Sequence, residues 1–334
     1  VPETARLRQW AASIEPPSRR PAVIVVTRLT TAKPASLPRN APRPGPRRKA
    51  WAARAPGPWR RKIMAKGSKA DAAAAGRICN VVPSKNTEKD WTFDNAVIAV
   101  AIKTPPATAP ASVDLRASWW DIGDQKQTGS CVGWASTEGV ARYHFVQAGR
   151  IPKPGHLSPR FTWMASKETD TLTTRPETFI EGAGTTLKAA VDILRKYGAV
   201  PEDLLPFAIN TTLYPGNEDD FFATAATRKI AAYFNLGKNV ANWRSWLAAH
   251  GPLLVGLQVD ATWDHATATG GLLDTFQPAT VRGGHAVTIV GYRADGRFIV
   301  RNSWGTGWGD KGFAYPSVGY IAAAFFDESY GVTL

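Results

Sequence analysis

The sequence predicts an α+β protein with two lobes, and three observations predict it. Apolar residues recur at helical spacing through the first part of the globular region. From Leu253 onward they form short strand-like runs instead. No internal repeat links the two halves.

In chain order, residues 1–63 come first and are rich in Pro, Arg and Ala. They cannot bury enough apolar surface to offset their ordering entropy. They are expected to be a disordered basic tail or a mis-assigned start, because Met64-Ala65-Lys66 reads as an ordinary translation start. Residues 64–112 read as a leader and linker: polar and loosely held to residue 90, with Ala96–Ile102 as a short strand and an extended Pro-rich stretch at 105–111. The globular domain is expected over 113–334, with a helical lobe over about 113–205 and a β lobe over about 206–334. Cys131–Ala148 reads as a helix, with Ser130 as N-cap and Gly149 as its stop. Thr186–Tyr197 is amphipathic, with Leu187, Ala190, Val191 and Leu194 on one face. Asn239–His250 is a third helix. Leu253–Val259, His285–Arg293 and Arg297–Asn302 read as strands, the last two joined by a tight turn at Asp295-Gly296. In that register Ile289 faces Asn302. His285 then shares a face with Asn302 but stands about 13 Å away along the strand, a gap that a bulge or longer turn must close.

Charge narrows the function classes. The net charge is +14, but residues 1–63 hold 15 of the 41 Lys and Arg and two acids, or +13. The other 26 basic and 25 acidic residues leave +1 for the rest, so the globular region is not expected to bind nucleic acid. No apolar run approaches the ~18 residues of a membrane span. Neither Val1 nor Met64 opens a secretory signal with an apolar core of about 7–15 residues. A cytoplasmic monomer is the expectation. The two cysteines, Cys79 and Cys131, exclude a disulfide framework and lack metal-ligand spacing, so neither metal nor organic cofactor is expected.

Chemistry concentrates at three places. Cys131 opens a helix, where unpaired N–H groups and the dipole stabilise a thiolate and can cradle an oxyanion. A small buried core cysteine is the competing reading. Of five histidines, His285 alone follows two glycines and leads a β-run that fixes its ring. His265, in a Thr-rich loop, is the second candidate for a base. Asn302-Ser303-Trp304-Gly305 ends the following strand.

Asp124-Gln125-Lys126-Gln127-Thr128-Gly129-Ser130-Cys131, Gly284-His285 and Asn302-Ser303-Trp304-Gly305 together resemble the papain family of cysteine peptidases, in a bacterial-type variant. Thr128 stands where the family signature has its first cysteine, and Val132 where it has Trp or Tyr. The resemblance implies a papain-like two-lobe fold with an antiparallel, barrel-like β lobe and the site in the cleft between lobes. It implies Cys131 as nucleophile, His285 as general acid and base, Asn302 orienting the imidazole, and Gln125 completing an oxyanion hole. Trp304 would shield the His–Asn bond. Gly182 and Gly184 would pair with substrate backbone, and Gly284 would leave room beside the cleft. The implied partner is a peptide or protein substrate, and the implied reaction peptide hydrolysis through an acyl-enzyme. Capture of that acyl group by an amine, or a peptide-binding pseudo-enzyme, are the alternatives.

Overall fold

The computed structural model describes residues 71–106, 108–169, 182–208 and 218–334, so the basic segment 1–63 lies outside the described residues. After a short 3-10 turn at Thr87–Lys89 comes a helix, α1 (Phe93–Ile98), where the apolar run had suggested a strand. Its start explains the difference. The Thr92 hydroxyl accepts the Asn95 N–H while the Asn95 side chain accepts the Thr92 N–H, a reciprocal cap that commits the next turn to helix.

Strand β1 (Val113–Asp114) leads to a long helix, α2, made of Cys131–Gly133, a π-helical stretch Trp134–Ala141 and Arg142–Gln147. Ser130 precedes it without capping it through its side chain; that hydroxyl bonds Thr128 Oγ1 instead, at 2.6 Å. Helices α3 (Pro159–Thr169), α4 (Leu187–Lys196) and α5 (Glu218–Ala226) follow. The Thr186 hydroxyl caps α4, and Leu187, Ala190, Val191 and Leu194 are buried as the spacing requires.

The remaining elements are β2 (Ala232–Asn235), α6 (Val240–Ala249), β3 (Leu253–Val259), β4 (Leu272–Leu273), β5 (Gly283–Tyr292), β6 (Phe298–Arg301), β7 (Phe313–Pro316), α7 (Val318–Ala324) and β8 (Phe325–Thr333). They form a sheet in the order β2-β8-β3-β5-β6-β7-β4, with β1 added on β5. All pairings are antiparallel except β4 with β7.

Both faces of β3 and β5 are covered, which is why these strands read as continuous apolar runs. Leu253, Val255, Leu257, Val287 and Ile289 enter one core with Trp243, Trp246, Trp263, Trp304 and Trp308. Leu254 and Ala286 enter another with Cys131, Phe145, Val191 and Leu194 of the helices. The period of two thus presses α2 and α4 on one face and an aromatic layer on the other.

The β5–β6 connection differs from the sequence expectation. Tyr292 pairs with Phe298 and Ile289 with Val300, so residues 293–297 form a longer loop, and a bulge falls between Ile289 and Gly291. Both changes slide Asn302 toward His285. Continuing the Thr288–Arg301 register sets Asn302 level with residue 287, two residues from His285 rather than four.

Candidate active site

Helix α2 and strand β5 carry the candidate nucleophile Cys131 and the candidate base His285, and they are locked together. A side chain on Gly139 would collide with the Thr288 hydroxyl, and that hydroxyl donates to Ala135 O at 3.0 Å. The absent side chain at Gly139, inside the π-helical stretch, lets helix and strand approach to this contact. Cys131 at the helix start is therefore fixed relative to His285, three residues before Thr288. The sequence carried no sign of the π stretch.

Cys131 and His285 are both 0% exposed. His285 Nε2 donates to Asn302 Oδ1 at 2.8 Å, which puts the ring proton on Nε2 and leaves Nδ1 as the basic nitrogen. Nδ1 is buried without a partner among the described residues. Burial pushes the Cys131 thiol up to about 11, against the N–H groups of Ala286, Val132 and Cys131 itself, which are directed at the sulfur. The Ala286 amide belongs to the residue after His285, so the thiol borders the strand that carries His285. Burial likewise pushes His285 down to about 4, against the Asn302 bond. Both shifts favour the neutral thiol and the neutral imidazole while the site is buried.

The Asn302 segment reaches further than expected. Ser303 N donates back to Asn302 Oδ1 at 2.8 Å, and Ser303 Oγ donates to Gln125 Oε1 at 2.9 Å. Gln125 N in turn donates to Ser303 O at 2.8 Å. Ser303 therefore ties the glutamine to the asparagine, a role the sequence reading missed. Trp304 lies over the imidazole with centroids 5.0 Å apart, and Trp263 meets the ring edge-on at 5.6 Å and 88°. Trp308 stacks on Trp263 at 5.2 Å. Two tryptophans thus flank the imidazole and a third backs them, and of the three sequence reasoning singled out Trp304. His265 sits in the short turn Trp263–His265, and the bond to Asn302 belongs to His285.

The groove is filled by the chain itself. Residues 64–90 read as loosely held, yet their described part is pinned across the site. Gln125 Nε2 donates to Ile78 O at 3.3 Å and to Thr128 O at 3.0 Å. Asn80 Nδ2 donates to Gly182 O, and a side chain on Gly184 would strike the Asn80 carbonyl. Val81 N donates to Gly284 O at 3.0 Å and Val82 N to Thr185 O at 3.1 Å. Ser84 N donates to Glu328 Oε1 at 3.0 Å. Upstream, the Arg77 guanidinium pairs with Asp124 and donates to Trp304 O at 3.2 Å. Gly182, Gly184 and Gly284 all line this groove. The space beside Gly284, however, is not open: the Phe326 ring stands 3.0 Å from where its Cβ would lie.

The sequence model of the family described as papain family cysteine protease matches residues 109–320. The chain belongs to the papain family of cysteine proteases. Papain-family relatives include a cathepsin B-like protein, CP2, of Giardia intestinalis, 25% identical over 233 residues, which cover 66% of this chain and 73% of that protein. Cysteine proteinase 2 of Entamoeba histolytica is 28% identical over 214 residues, covering 61% of this chain and 62% of that protein. Among solved structures, xylellain, a cysteine protease from Xylella fastidiosa, superposes with a TM-score of 0.62 at 20% identity, over 81% of this chain and 99% of that one. That likeness shows the papain-like α+β fold, and family membership makes the chain a cysteine peptidase. Among the described residues, no helix is long and apolar enough to cross a membrane.

Proposed function

We infer that this chain is a latent cysteine peptidase that cuts peptide bonds with Cys131, and that the leader seated in its groove holds it off. One observation carries the reading. A peptide carbonyl, that of Ile78, already rests on the Gln125 amide, in a groove that ends at a thiol and an Asn-bound imidazole.

When the leader leaves, water and substrate replace it and burial no longer favours the neutral pair. The Cys131 proton passes to His285 Nδ1, giving a thiolate and an imidazolium that Asn302 holds in place. The thiolate attacks the substrate carbonyl. The carbonyl oxygen gains charge against Gln125 Nε2 and the backbone N–H of Cys131 at the helix start. His285 then gives its proton to the leaving amine and afterwards takes one from the water that releases the acyl group. Gly182 and Thr185 present carbonyls to a substrate backbone as they do to Asn80 and Val82, and Trp304 keeps water from the His–Asn bond.

The test is hydrolysis of a peptide library after limited proteolysis of the leader, with labelling by a cysteine-directed epoxide. Cys131→Ala is expected to lose both. Persistent hydrolysis in that variant removes the assignment.

A further inference from the structure

The sequence holds two cysteines, and both border the same groove. Neither is in a disulfide. Cys131 opens α2. Cys79 lies in the leader between two anchors: Ile78, whose carbonyl accepts the Gln125 amide at 3.3 Å, and Val81, whose N–H donates to Gly284 O at 3.0 Å. The Cys79 carbonyl presses on Gly283, and its Cβ is 3.6 Å from where a Gly283 Cβ would stand. Gly283 and Gly284 precede His285, and the Ala286 amide just after it is directed at the Cys131 sulfur. Cys79 thus sits on the strand segment that leads into His285, and the helix that Cys131 opens packs against that same strand. Burial pushes the Cys79 thiol up to about 12, and the next largest cause is the charge of Cys131, so the two sulfurs feel each other.

We propose that Cys79 and Cys131 form a reversible disulfide that ties the leader to the nucleophile, so that an oxidant locks the latent state and a reductant unlocks it. This rests on the reading of Cys131 as nucleophile and the leader as plug. The oxidant is a small disulfide, R–S–S–R, of the glutathione kind. Cys79 is only partly buried as a residue and is the thiol such a molecule reaches first. When the leader lifts, Cys79 leaves its buried setting, gives its proton to water, and its thiolate attacks one sulfur; a Cys79–S–S–R bond forms, and the other half leaves and takes up a proton as R–SH. Cys131, giving its proton to His285 Nδ1, then attacks the Cys79 sulfur. The second R–S⁻ leaves and takes that proton. Two protein thiols are oxidised to one disulfide, and one R–S–S–R is reduced to two R–SH. The adjustment needed to bring the Cα atoms within about 7 Å falls on the leader, which forms no helix or strand over residues 77–84. A leader joined in this way stays in the groove even after the chain is cut on either side of it, so proteolysis alone would not activate the oxidised protein.

The test uses the full chain. It is incubated with oxidised glutathione, quenched with iodoacetamide in urea and digested without reductant for mass spectrometry. The expected product is a peptide pair joined through Cys79 and Cys131 within one chain. Free thiol should fall about tenfold and return with dithiothreitol. Cys79→Ser should give no joined pair and only a glutathione adduct on Cys131. Two separate adducts in the parent protein, or a joined pair between two chains, overturn the proposal. Hydrolysis by the reduced, leader-trimmed protein is read in parallel. A joined pair in a protein that hydrolyses nothing keeps the bridge and removes the catalytic reading. Hydrolysis without a joined pair removes the bridge alone.

Discussion

Two sets of residues meet at the groove and are held in different ways. Gln125, Cys131, His285 and Asn302 are each 0–1% exposed and joined to one another or to neighbouring elements by side-chain chemistry. The leader, residues 77–84, adds backbone contacts at Ile78 O, Val81 N, Val82 N and Ser84 N to the side-chain bonds of Arg77, Asn80 and Ser84. The first set depends on which residues are present. The second depends on where the main chain runs as well as on side chains. Breaking the first should destroy turnover; breaking the second should release it.

The largest effect is expected at His285. His285→Ala removes the base and the acid together and should cost about 10²–10⁴ in turnover of the leader-trimmed protein. A loss in kcat with little change in KM is the signature of a group acting in the chemical step. Gln125→Ala comes next, at about 10²–10³ in kcat, because one oxyanion donor is removed. Gln125 also sharpens the contrast, since its amide touches the leader as well. The same variant should seat the leader less firmly, read as faster epoxide labelling of Cys131 in the full chain. If Gln125→Ala slows turnover but leaves leader seating untouched, the Ile78 contact contributes nothing to latency.

The contrast also accounts for what could be read from the sequence. The clustering of Gln125, Cys131, His285 and Asn302 was legible because the proposed chemistry needs those side-chain types. Strand β3 matched residue for residue, because both its faces are buried and its apolar run has clear ends. The leader was illegible because a backbone amide has no identity in the sequence: Ile78, Val81 and Val82 look like any apolar residues. Ser303 was missed for a related reason, since its hydroxyl acts by joining two residues 177 positions apart, Gln125 and Asn302. The β5–β6 turn was misjudged because Asp295-Gly296 signals a tight turn locally, while the pairing of Tyr292 with Phe298 is set by the sheet. At α1 the apolar run outweighed a cap at Thr92 and Asn95 that was present in the sequence.

Trimming the leader should raise the epoxide labelling rate by about 10- to 100-fold, in proportion to the small fraction of time the groove stands open in the full chain. The cut must fall before Thr92. Phe93 and Ala96 of α1 belong to the sheet's core, and removing them would unsettle the fold rather than open the groove. A trimmed protein that labels no faster than the full chain would mean that the leader does not guard the thiol.

The smallest effect is expected at the Arg77–Asp124 pair, and acid is the way to read it. Exchanging a neutral thiol and imidazole for a thiolate and imidazolium moves one proton within the pair and binds none from solution, so Cys131 and His285 give leader seating no slope through neutral pH. Asp124 does. Burial raises its pKa, but the hydrogen bonds from Arg77 and Lys126 prevail and hold the carboxyl below its usual 3.8. A lowered carboxylate contributes stability in full above its free value, lost as pH falls through the lowered one. Lys126 stays beside Asp124 whether or not the leader is seated, so only the Arg77 share is lost. Glu328, which accepts from Ser84, works in the other direction. Burial raises it above 4.5, so its contribution is present in acid and lost as pH rises through the raised value. Mild acid should therefore not unseat the leader. The ratio of full-chain to trimmed labelling rates, which cancels the thiol's own titration, should stay level or fall slightly from about pH 8 to about 4.5 and climb only below about 3.8. Arg77→Ala should raise that ratio about two- to fivefold at neutral pH and flatten the acid limb. A climb centred near pH 6 in the parent protein would place the release on some other group and leave the Arg77 anchor without a part in it.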